Sequence, residues 1–556
     1  MDHTKYRPFD FMDYAGREWP SKKITKAPAW CSVDLRDGNQ SIKTPMSLEK
    51  KLEFFKFLTE TGFKEIEIGF PSASETEFQF ARALIEHGLI PDDVTVQVLT
   101  QSREKIIRRT FEALRGVRRA IVHLYNNTAP LWRQIVFEKT KDEIVEIAVE
   151  GANLLNEMAE LYGPERFAFE YSPECFSQTE IEFSLEVCDA VMDAWNGRKG
   201  RIVNLPLTVE SATPNVHADQ VEYMCKNLAN RGDIIVCLHA HNDRGTAVAA
   251  TEFGLMAGAE RVEGTLFGNG ERTGNADIVT LALNLYSQGI DPGLDFSDID
   301  KAIEVYELST GIPVHPRHPY AGDLVYTSFS GGHQDAIHKG MKRMKERNGT
   351  WEVPYLPIDP RDVGRSFDPV IRFNSQSGKG GAAFILEHNY GITVPKKMQG
   401  DFGPKVIEAC DANGNEMTPD EVYGLFKETY INLSNPVLLE KYSESSGEPA
   451  SIKAVLSVGG ETAEVAGEGG GMVDAFCNAL SGFLSFGFEI KNYSQHAMES
   501  GNRSRAITYV EIESETASGK KTYFGAGLSG DIGASSLRAV VSAVNKALID
   551  AGRFTR

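Results

Sequence analysis

Two histidines one residue apart, His239 and His241, close an apolar run that begins at Ile234. Side chains alternate between the faces of a strand, so a His-x-His pair at a strand end presents two imidazoles side by side. Far upstream, Asp37 follows another apolar run, residues 29–33, within Asp34-Leu35-Arg36-Asp37-Gly38-Asn39-Gln40. Imidazole and carboxylate together suit a divalent cation, Mg²⁺, Mn²⁺ or Zn²⁺. Asn275, closing Gly268-Asn269-Gly270-Glu271-Arg272-Thr273-Gly274-Asn275, can complete the set with an amide oxygen, although Asn and Gly are also the ordinary residues of tight turns. A lone strand-end histidine is more often structural; this pair, beside Asn242 and Asp243, points to a metal enzyme.

Such a site needs a scaffold that gathers strand ends. Between residues 29 and 267 short β-type runs alternate with helical stretches, the rhythm of βα units around a parallel sheet. The runs are 30–35, 65–70, 94–100, 120–125, 167–171, 202–207, 234–238 and 262–267. Eight units of this length make about 250 residues, the size of a (β/α)₈ barrel, with a doubly wound sheet as competitor. In the first intervening helix Leu48, Leu52, Phe55 and Leu58 recur at helical spacing, with Ser47 as N-cap and Gly62 past the C-terminus. Ser74 and Glu77 have capping-box spacing ahead of Phe78, Ala81, Leu84 and Ile85, and Gly88 ends that helix. The placement of polar residues favours the barrel. Arg36, Asp37, His123, Glu174, Thr208, His239, His241 and residues 269–275 all fall at or near the ends of runs, where barrel enzymes gather their chemistry.

With 556 residues, 41% apolar and 24% charged, the chain can build two or three domains. Past residue 290 the texture changes to Pro- and Gly-rich stretches, 314–320 and 355–365, around a basic helix-like stretch, 337–347. From about residue 449 a third pattern begins: strand-like 452–458, helix-like 472–484, strand-like 506–514 and 521–524, and a helix carrying Leu537, Val540, Val541, Val544 and Leu548. The expected division is an N-terminal extension at 1–28, a barrel at 29–310, linker subdomains at 311–440 and a small α+β domain at 441–556. No run of about 18 apolar residues occurs, and the first thirty residues mix Asp, Lys, Arg and Pro, so neither a membrane span nor a secretory leader is expected and the chain reads as cytoplasmic. A net charge of −20 disfavours nucleic acid or an anionic membrane as partner. Seven scattered cysteines without Cys-x-x-Cys spacing read as buried thiols.

Taken with Glu67-Ile68-Gly69-Phe70-Pro71, Glu170-Tyr171-Ser172-Pro173-Glu174, residues 205–210 and 239–245, Phe329-Ser330-Gly331-Gly332-His333-Gln334-Asp335 and residues 374–381, these motifs resemble the 2-isopropylmalate synthase family over nearly the whole chain. These are acetyl-CoA-dependent condensing enzymes that commit carbon to leucine. The resemblance implies a (β/α)₈ barrel, a linker with small subdomains and a C-terminal leucine-sensing domain, in a homodimer. It implies a Claisen condensation of acetyl-CoA with 3-methyl-2-oxobutanoate, followed by thioester hydrolysis to (2S)-2-isopropylmalate and CoA. By the same resemblance, Asp37, His239, His241 and Asn275 hold the divalent ion, Mg²⁺ before Mn²⁺ or Zn²⁺. Arg36 faces the substrate oxygen that gains charge, Thr208 meets the keto acid's carboxylate, and Glu174 and His123 form a polar pair near the acetyl group. His333 and Tyr355 reach over the barrel mouth, from the partner subunit, to handle a proton or activate water. Residues 467–475 and 525–537 are similar to loops around a leucine pocket, which makes leucine the expected feedback inhibitor. Ser377-Gly378-Lys379-Gly380-Gly381 echoes a phosphate loop but lacks its upstream Gly and the Ser or Thr after Lys, so nucleotide hydrolysis is not expected; contact with the CoA phosphates stays open. The rivals are homocitrate or citramalate synthase, a hydroxyacyl-CoA lyase on the same barrel, and a non-catalytic leucine sensor.

Overall fold

The apolar runs of the first half become eight parallel strands: β1 (Ala29–Ser32), β2 (Glu65–Gly69), β3 (Thr95–Gln101), β4 (Ala120–Asn127), β5 (Phe167–Glu174), β6 (Arg201–Leu207), β7 (Ile234–Ala240) and β8 (Arg261–Gly264). Each pairs with its sequence neighbour, and β1 also pairs with β8, with Trp30 opposite Val262 and Ser32 opposite Gly264. That last ladder closes the barrel and excludes the open sheet. The computed structural model describes the chain except for residues 1, 7–8, 10–11, 13, 329–330, 347–348, 368–377, 414–416, 446, 499–503, 517–518 and 555–556. Two units are distinct, residues 1–326 with 358–366, and residues 327–357 with 367–556.

Local signals explain the barrel's helices. Ser47 accepts from the Lys50 amide to open helix Leu48–Thr61, and Gly62 ends it at φ 111°, a conformation that costs glycine least. Ser74 likewise caps helix Glu75–Glu86, but the Glu77 carboxylate does not complete a capping box; it accepts from the Phe70 amide instead. Two runs stop short as strands. After Ser32 the chain enters a wide π-helical turn, Asp34–Gly38, and after Gly264 a 3₁₀ turn, Leu266–Gly268. A Cβ on Gly264 would stand 2.4 Å from the Ala276 carbonyl oxygen, so no larger residue allows this approach.

Outside the strands, buried Phe54, Phe55, Leu58, Phe80, Leu84, Phe111 and Trp195 form the apolar layer between sheet and helices. Inside, the floor is apolar, with Ile121, Ile202, Cys237 and Ala168 in contact. Above it sit fully buried Glu67, Gln97, Glu170, Arg261 and Glu263 where barrels ordinarily stack branched aliphatic side chains. The segment before the barrel is strapped to its outer wall: Trp19 stacks at 4.9 Å on Phe253 and donates through Nε1 to Asp219 Oδ1 at 2.8 Å. Cys31, Cys175, Cys188 and Cys237 are buried thiols outside any disulfide.

The second unit contains helices Gly331–Glu346, Gly378–Tyr390, Lys396–Asn413 and Pro419–Tyr430, then a βββα arrangement that occurs twice. In the first copy β9 (Val437–Ser445), β10 (Ala450–Val458) and β11 (Glu461–Gly469) form an antiparallel sheet in the order β11-β10-β9, followed by helix Met472–Leu484. In the second, β12 (Phe488–Ala497), β13 (Ala506–Thr516) and β14 (Gly519–Ser529) precede helix Ile532–Asp550. Gly467 and Gly527 occupy like places in the two copies: a Cβ on either would meet helix backbone, Ala475 O at 2.5 Å or Ser535 O at 1.9 Å. Among the described residues, Ile532–Asp550 is the one helix long and apolar enough to cross a membrane by length and composition, and most of it is buried, packed on β13 and β14.

His217, on helix Pro214–Asn227, lies edge-on to Phe176 at 6.3 Å, and among the described residues neither ring nitrogen finds a hydrogen-bond partner. Burial pushes its pKa down to about 4. The fold therefore prefers the neutral ring, its contribution is complete above pH ~6.5, and stability is lost as pH falls below that value, by roughly 2 kcal/mol at pH 5. Urea unfolding at pH 7.5 and 5 should show this loss in the parent and not in His217→Leu; equal losses in both would assign it to other groups.

Candidate active site

The end of β7 and the turn after β1 meet at one rim of the barrel. Asp37 Oδ2 lies 3.3 Å from His239 Nε2 and 3.6 Å from His241 Nε2. The three residues are buried, and one donor atom from each falls within 4.8 Å of the others. An isolated antiparallel bridge pairs His241 with Asn275. Asn275 Nδ2 donates to the Asn269 carbonyl at 3.1 Å, which fixes the amide; its Oδ1 is buried and, among the described residues, without a partner. Leaving such an atom unsatisfied costs about 1–3 kcal/mol, and a cation would remove that cost. Two imidazoles, a carboxylate and an orphaned amide oxygen thus fit a divalent ion.

A second layer orients these donors. Glu263, opposite His239 in the β7–β8 ladder, takes a hydrogen bond from His239 Nδ1 at 2.8 Å. An ionised carboxylate can only accept, so Nδ1 keeps a proton whether or not Nε2, which faces Asp37, carries one. Glu263 is itself held by Arg261 Nη1 at 3.0 Å and Gln97 Nε2 at 2.6 Å. Arg36 bonds Asp37 Oδ1 through Nη1 at 3.1 Å and Glu67 through Nε. Burial opposes charge on Asp37, but Arg36 and His239 outweigh it and hold the carboxyl well below the usual range. Burial likewise opposes charge on His239, while hydrogen bonds to Asp37 and Glu263 lift it to about 9; His241 is held down to about 4, mainly by burial.

These side chains open onto a cavity of about 370 Å³. Arg36, His123, Glu174 and Thr208 line it, together with apolar Phe70, Leu99 and Pro206 and the ring of Tyr125. His123 bonds Ser172 Oγ through Nε2 at 2.7 Å and Glu67 Oε2 through Nδ1 at 3.1 Å. Burial raises the Glu174 carboxyl. The Cys175 amide donates to Thr208 Oγ1 at 2.9 Å, so the hydroxyl's own hydrogen is directed elsewhere.

Comparison with known proteins finds relatives along the whole chain. Residues 27–305 match a family model described as HMGL-like, residues 323–387 one for an alpha-isopropylmalate synthase post-catalytic domain, and residues 416–548 the LeuA allosteric (dimerisation) domain. The chain is 54% identical to the 2-isopropylmalate synthase of Acetoanaerobium sticklandii, covering 99% of this chain and 97% of that one. It is 53% identical to that of Pseudomonas syringae, with 98% and 97% covered, and 50% identical to that of Clostridium acetobutylicum, with 98% and 99% covered. The chain belongs to the 2-isopropylmalate synthase family. It is a condensing enzyme by descent, with a divalent-metal type of barrel and a dimerisation domain of allosteric type.

The barrel unit brings together Arg36, Asp37, His123, Glu174, Thr208, His239, His241 and Asn275, whose sequence positions span residues 36 to 275. His123 takes Ser172 and Glu67 as its hydrogen-bond partners, and Glu174 shares the cavity with it. His333 and Tyr355 belong to the second unit, where their rings stack at 4.1 Å and both are exposed; Tyr355 adopts φ 65°. Phe329, Ser330, residues 374–377 and the side chain of Lys379 lie outside the described residues, so the motifs they belong to are seen only in part.

Sequence reading missed Gln97, Arg261 and Glu263, and gave no role to Glu67 and Glu170, which it met only inside longer motifs. A signal was present for most of them, since Glu67, Gln97, Glu170 and Glu263 are polar residues within β-type runs, such as Glu170 in Phe167-Ala168-Phe169-Glu170-Tyr171. Replacing Glu263 with Gln leaves the shape and removes the charged acceptor that orients His239. Titration of metal-free enzyme with Mn²⁺ should show affinity falling about 10–100-fold; unchanged affinity would deny the orienting role.

Proposed function

We propose that this chain condenses acetyl-CoA with 3-methyl-2-oxobutanoate and hydrolyses the thioester, releasing (2S)-2-isopropylmalate, CoA and a proton, as the first committed step of leucine synthesis in the cytoplasm. The observation that carries the reading is the convergence of Asp37, His239, His241 and the unsatisfied Asn275 oxygen on a barrel whose chain is 50–54% identical, end to end, to 2-isopropylmalate synthases.

In this reading Asp37, His239, His241 and Asn275 hold the divalent ion, Mg²⁺ first and Mn²⁺ or Zn²⁺ as alternatives. When bound, it supplies Lewis-acid polarisation of the keto acid's 2-oxo group. Arg36, permanently charged and clamped between Asp37 and Glu67, presents its remaining N–H donors to the oxygen that gains negative charge as the carbon–carbon bond forms. Thr208 donates its free hydroxyl hydrogen to the substrate carboxylate. Glu174 lies on the cavity wall beside the acetyl group, with His123 held by Ser172 to complete the acyl side. A raised carboxyl is a stronger base than an exposed one, which suits Glu174 to proton transfer at the acetyl methyl. His333 and Tyr355, supplied by the partner subunit of a homodimer, serve the second proton transfer, at the water that cleaves the thioester. The chain's parts are an extension at 1–28, the barrel at 29–310, linker subdomains at 311–440 and a leucine-sensing domain at 441–556, with leucine the feedback inhibitor.

The cavity wall speaks to the rivals. Phe70, Leu99 and Pro206 offer an isopropyl group apolar surface, and the cations on the lining, Arg36 and Arg272, are engaged by Asp37 with Glu67 and by Asp243. A second substrate carboxylate, as in 2-oxoglutarate, would meet no unengaged cation among those described. Two extra buried carbons relative to pyruvate favour the branched acid by about 1.6 kcal/mol, roughly 15-fold. Thiol release measured with the three keto acids should rank 3-methyl-2-oxobutanoate first in kcat/KM by at least about tenfold; preference for either other acid would overturn the assignment. His241→Ala should lose about a thousandfold or more in turnover, with Tm little changed. Retained turnover with normal metal content would refute the ligand set.

A further inference from the structure

Lys51, on helix Leu48–Thr61, is fully buried, an uncommon place for an ammonium group. Its Nζ donates to the Leu35 carbonyl at 3.0 Å, inside the π-helical turn that carries Arg36 and Asp37, and pairs with Glu77. The other Glu77 oxygen accepts from the Phe70 amide at 3.3 Å, and Phe70 lines the cavity. One ion pair therefore ties the loop after β1 to the loop after β2. The backbone is shaped around it: Gly69 has φ 151°, and a Cβ there would lie 1.8 Å from Glu77 Oε2. The Glu77 carboxylate gives up the capping-box bond that its spacing from Ser74 offers in order to make this link.

We infer that Lys51 and Glu77 are positioning residues for the condensation, a clamp that sets the turn bearing Arg36 and Asp37 against the cavity wall at Phe70. The inference rests on the roles proposed for Arg36 and Asp37. Lys51 touches neither substrate nor metal ligand directly; it acts through the Leu35 carbonyl, one residue from Arg36. Burial lowers the Lys51 pKa and Glu77 opposes that shift, so removing Glu77 leaves a buried ammonium without its counter-ion, and removing Lys51 frees the partly exposed Glu77 carboxylate from the link. Loss of the clamp loosens the keto-acid end of the site, since Arg36 and Asp37 are on this turn. The acyl side, with His123 and Glu174 on β4 and β5, rests on strands the clamp does not touch.

The test compares Lys51→Met, Lys51→Arg and Glu77→Gln in the full-length chain, with steady-state kinetics on both substrates, Mn²⁺ titration and thermal unfolding. The expected pattern for Lys51→Met and Glu77→Gln is a kcat about 10–100-fold lower and a keto-acid KM about fivefold higher, while the acetyl-CoA KM stays within about twofold. Lys51→Arg, which keeps the charge, should recover most of kcat. A purely structural role would lower Tm and the active fraction while leaving the KM values of the folded enzyme unchanged, and that result overturns the clamp. Should Lys51→Met not fold, Glu77→Gln and Lys51→Arg decide by the same split between the two KM values. Arg36→Ala in the same assay separates the layers. If it retains turnover, the proposed site and the clamp both fall; if it is inactive while the Lys51 and Glu77 variants match the parent, the clamp alone falls.

Discussion

Buried charge, neutralised in pairs, is the constraint on which the barrel depends. Glu67, Glu170 and Glu263 are fully enclosed with Arg261, and the effective penalty for enclosing each unpaired ion is several kcal/mol. Arg261 meets it by reaching Glu65 at 2.6 Å, Gln97 at 2.7 Å, Glu263 at 3.0 Å and Glu170 at 3.3 Å from one planar fork. The carboxyls then divide. Burial raises Glu170, while Glu263 and Glu67 are held low because His239, Arg261, Arg36 and His123 overcome the same burial. The groups beneath the site are therefore distinct electrostatically although chemically alike.

From that layer the chemistry is assembled upward. Glu263 keeps a proton on His239 Nδ1, Glu67 holds both Arg36 and His123, and the residues proposed as metal donors and those proposed for the acyl side share one support. Rigid strands supply most of these residues, but Arg36 and Asp37 lie on a turn. A turn has no ladder to hold it, and the Lys51–Glu77 pair, its ammonium buried, stands where one would be. The arrangement follows the general requirement that catalytic groups be held by neighbours whose own positions are locked.

The second unit uses glycine for a different end. In each βββα copy a helix lies directly on strand backbone, and Gly467, Gly469, Gly525 and Gly527 are the points where a side chain would strike it. Two copies of one such arrangement lie in a segment that matches an allosteric dimerisation domain.

How much of this was legible depends on burial. Strands with at least one buried apolar face wrote β-type runs into the chain, so β1 to β8, β10 and β13 could be read within a few residues. The strands β9, β11 and β12 stand at sheet edges and are largely exposed, so Glu440, Lys441, Glu464 or Asn492 cost nothing there and left no pattern to find. The candidate donor types Asp37, His239, His241 and Asn275, and the place of the His-x-His pair at the end of β7, could be picked out from sequence alone, because side-chain chemistry and period-two alternation are local. Which atoms meet could not be, because parallel register and barrel closure bring residues 36 and 275 to one rim and set Glu263 beside His239. The capping-box spacing of Ser74 and Glu77 illustrates the limit. Locally it promises one hydrogen bond, and only the packed structure, by burying Lys51 within reach, redirects that carboxylate to hold two loops together.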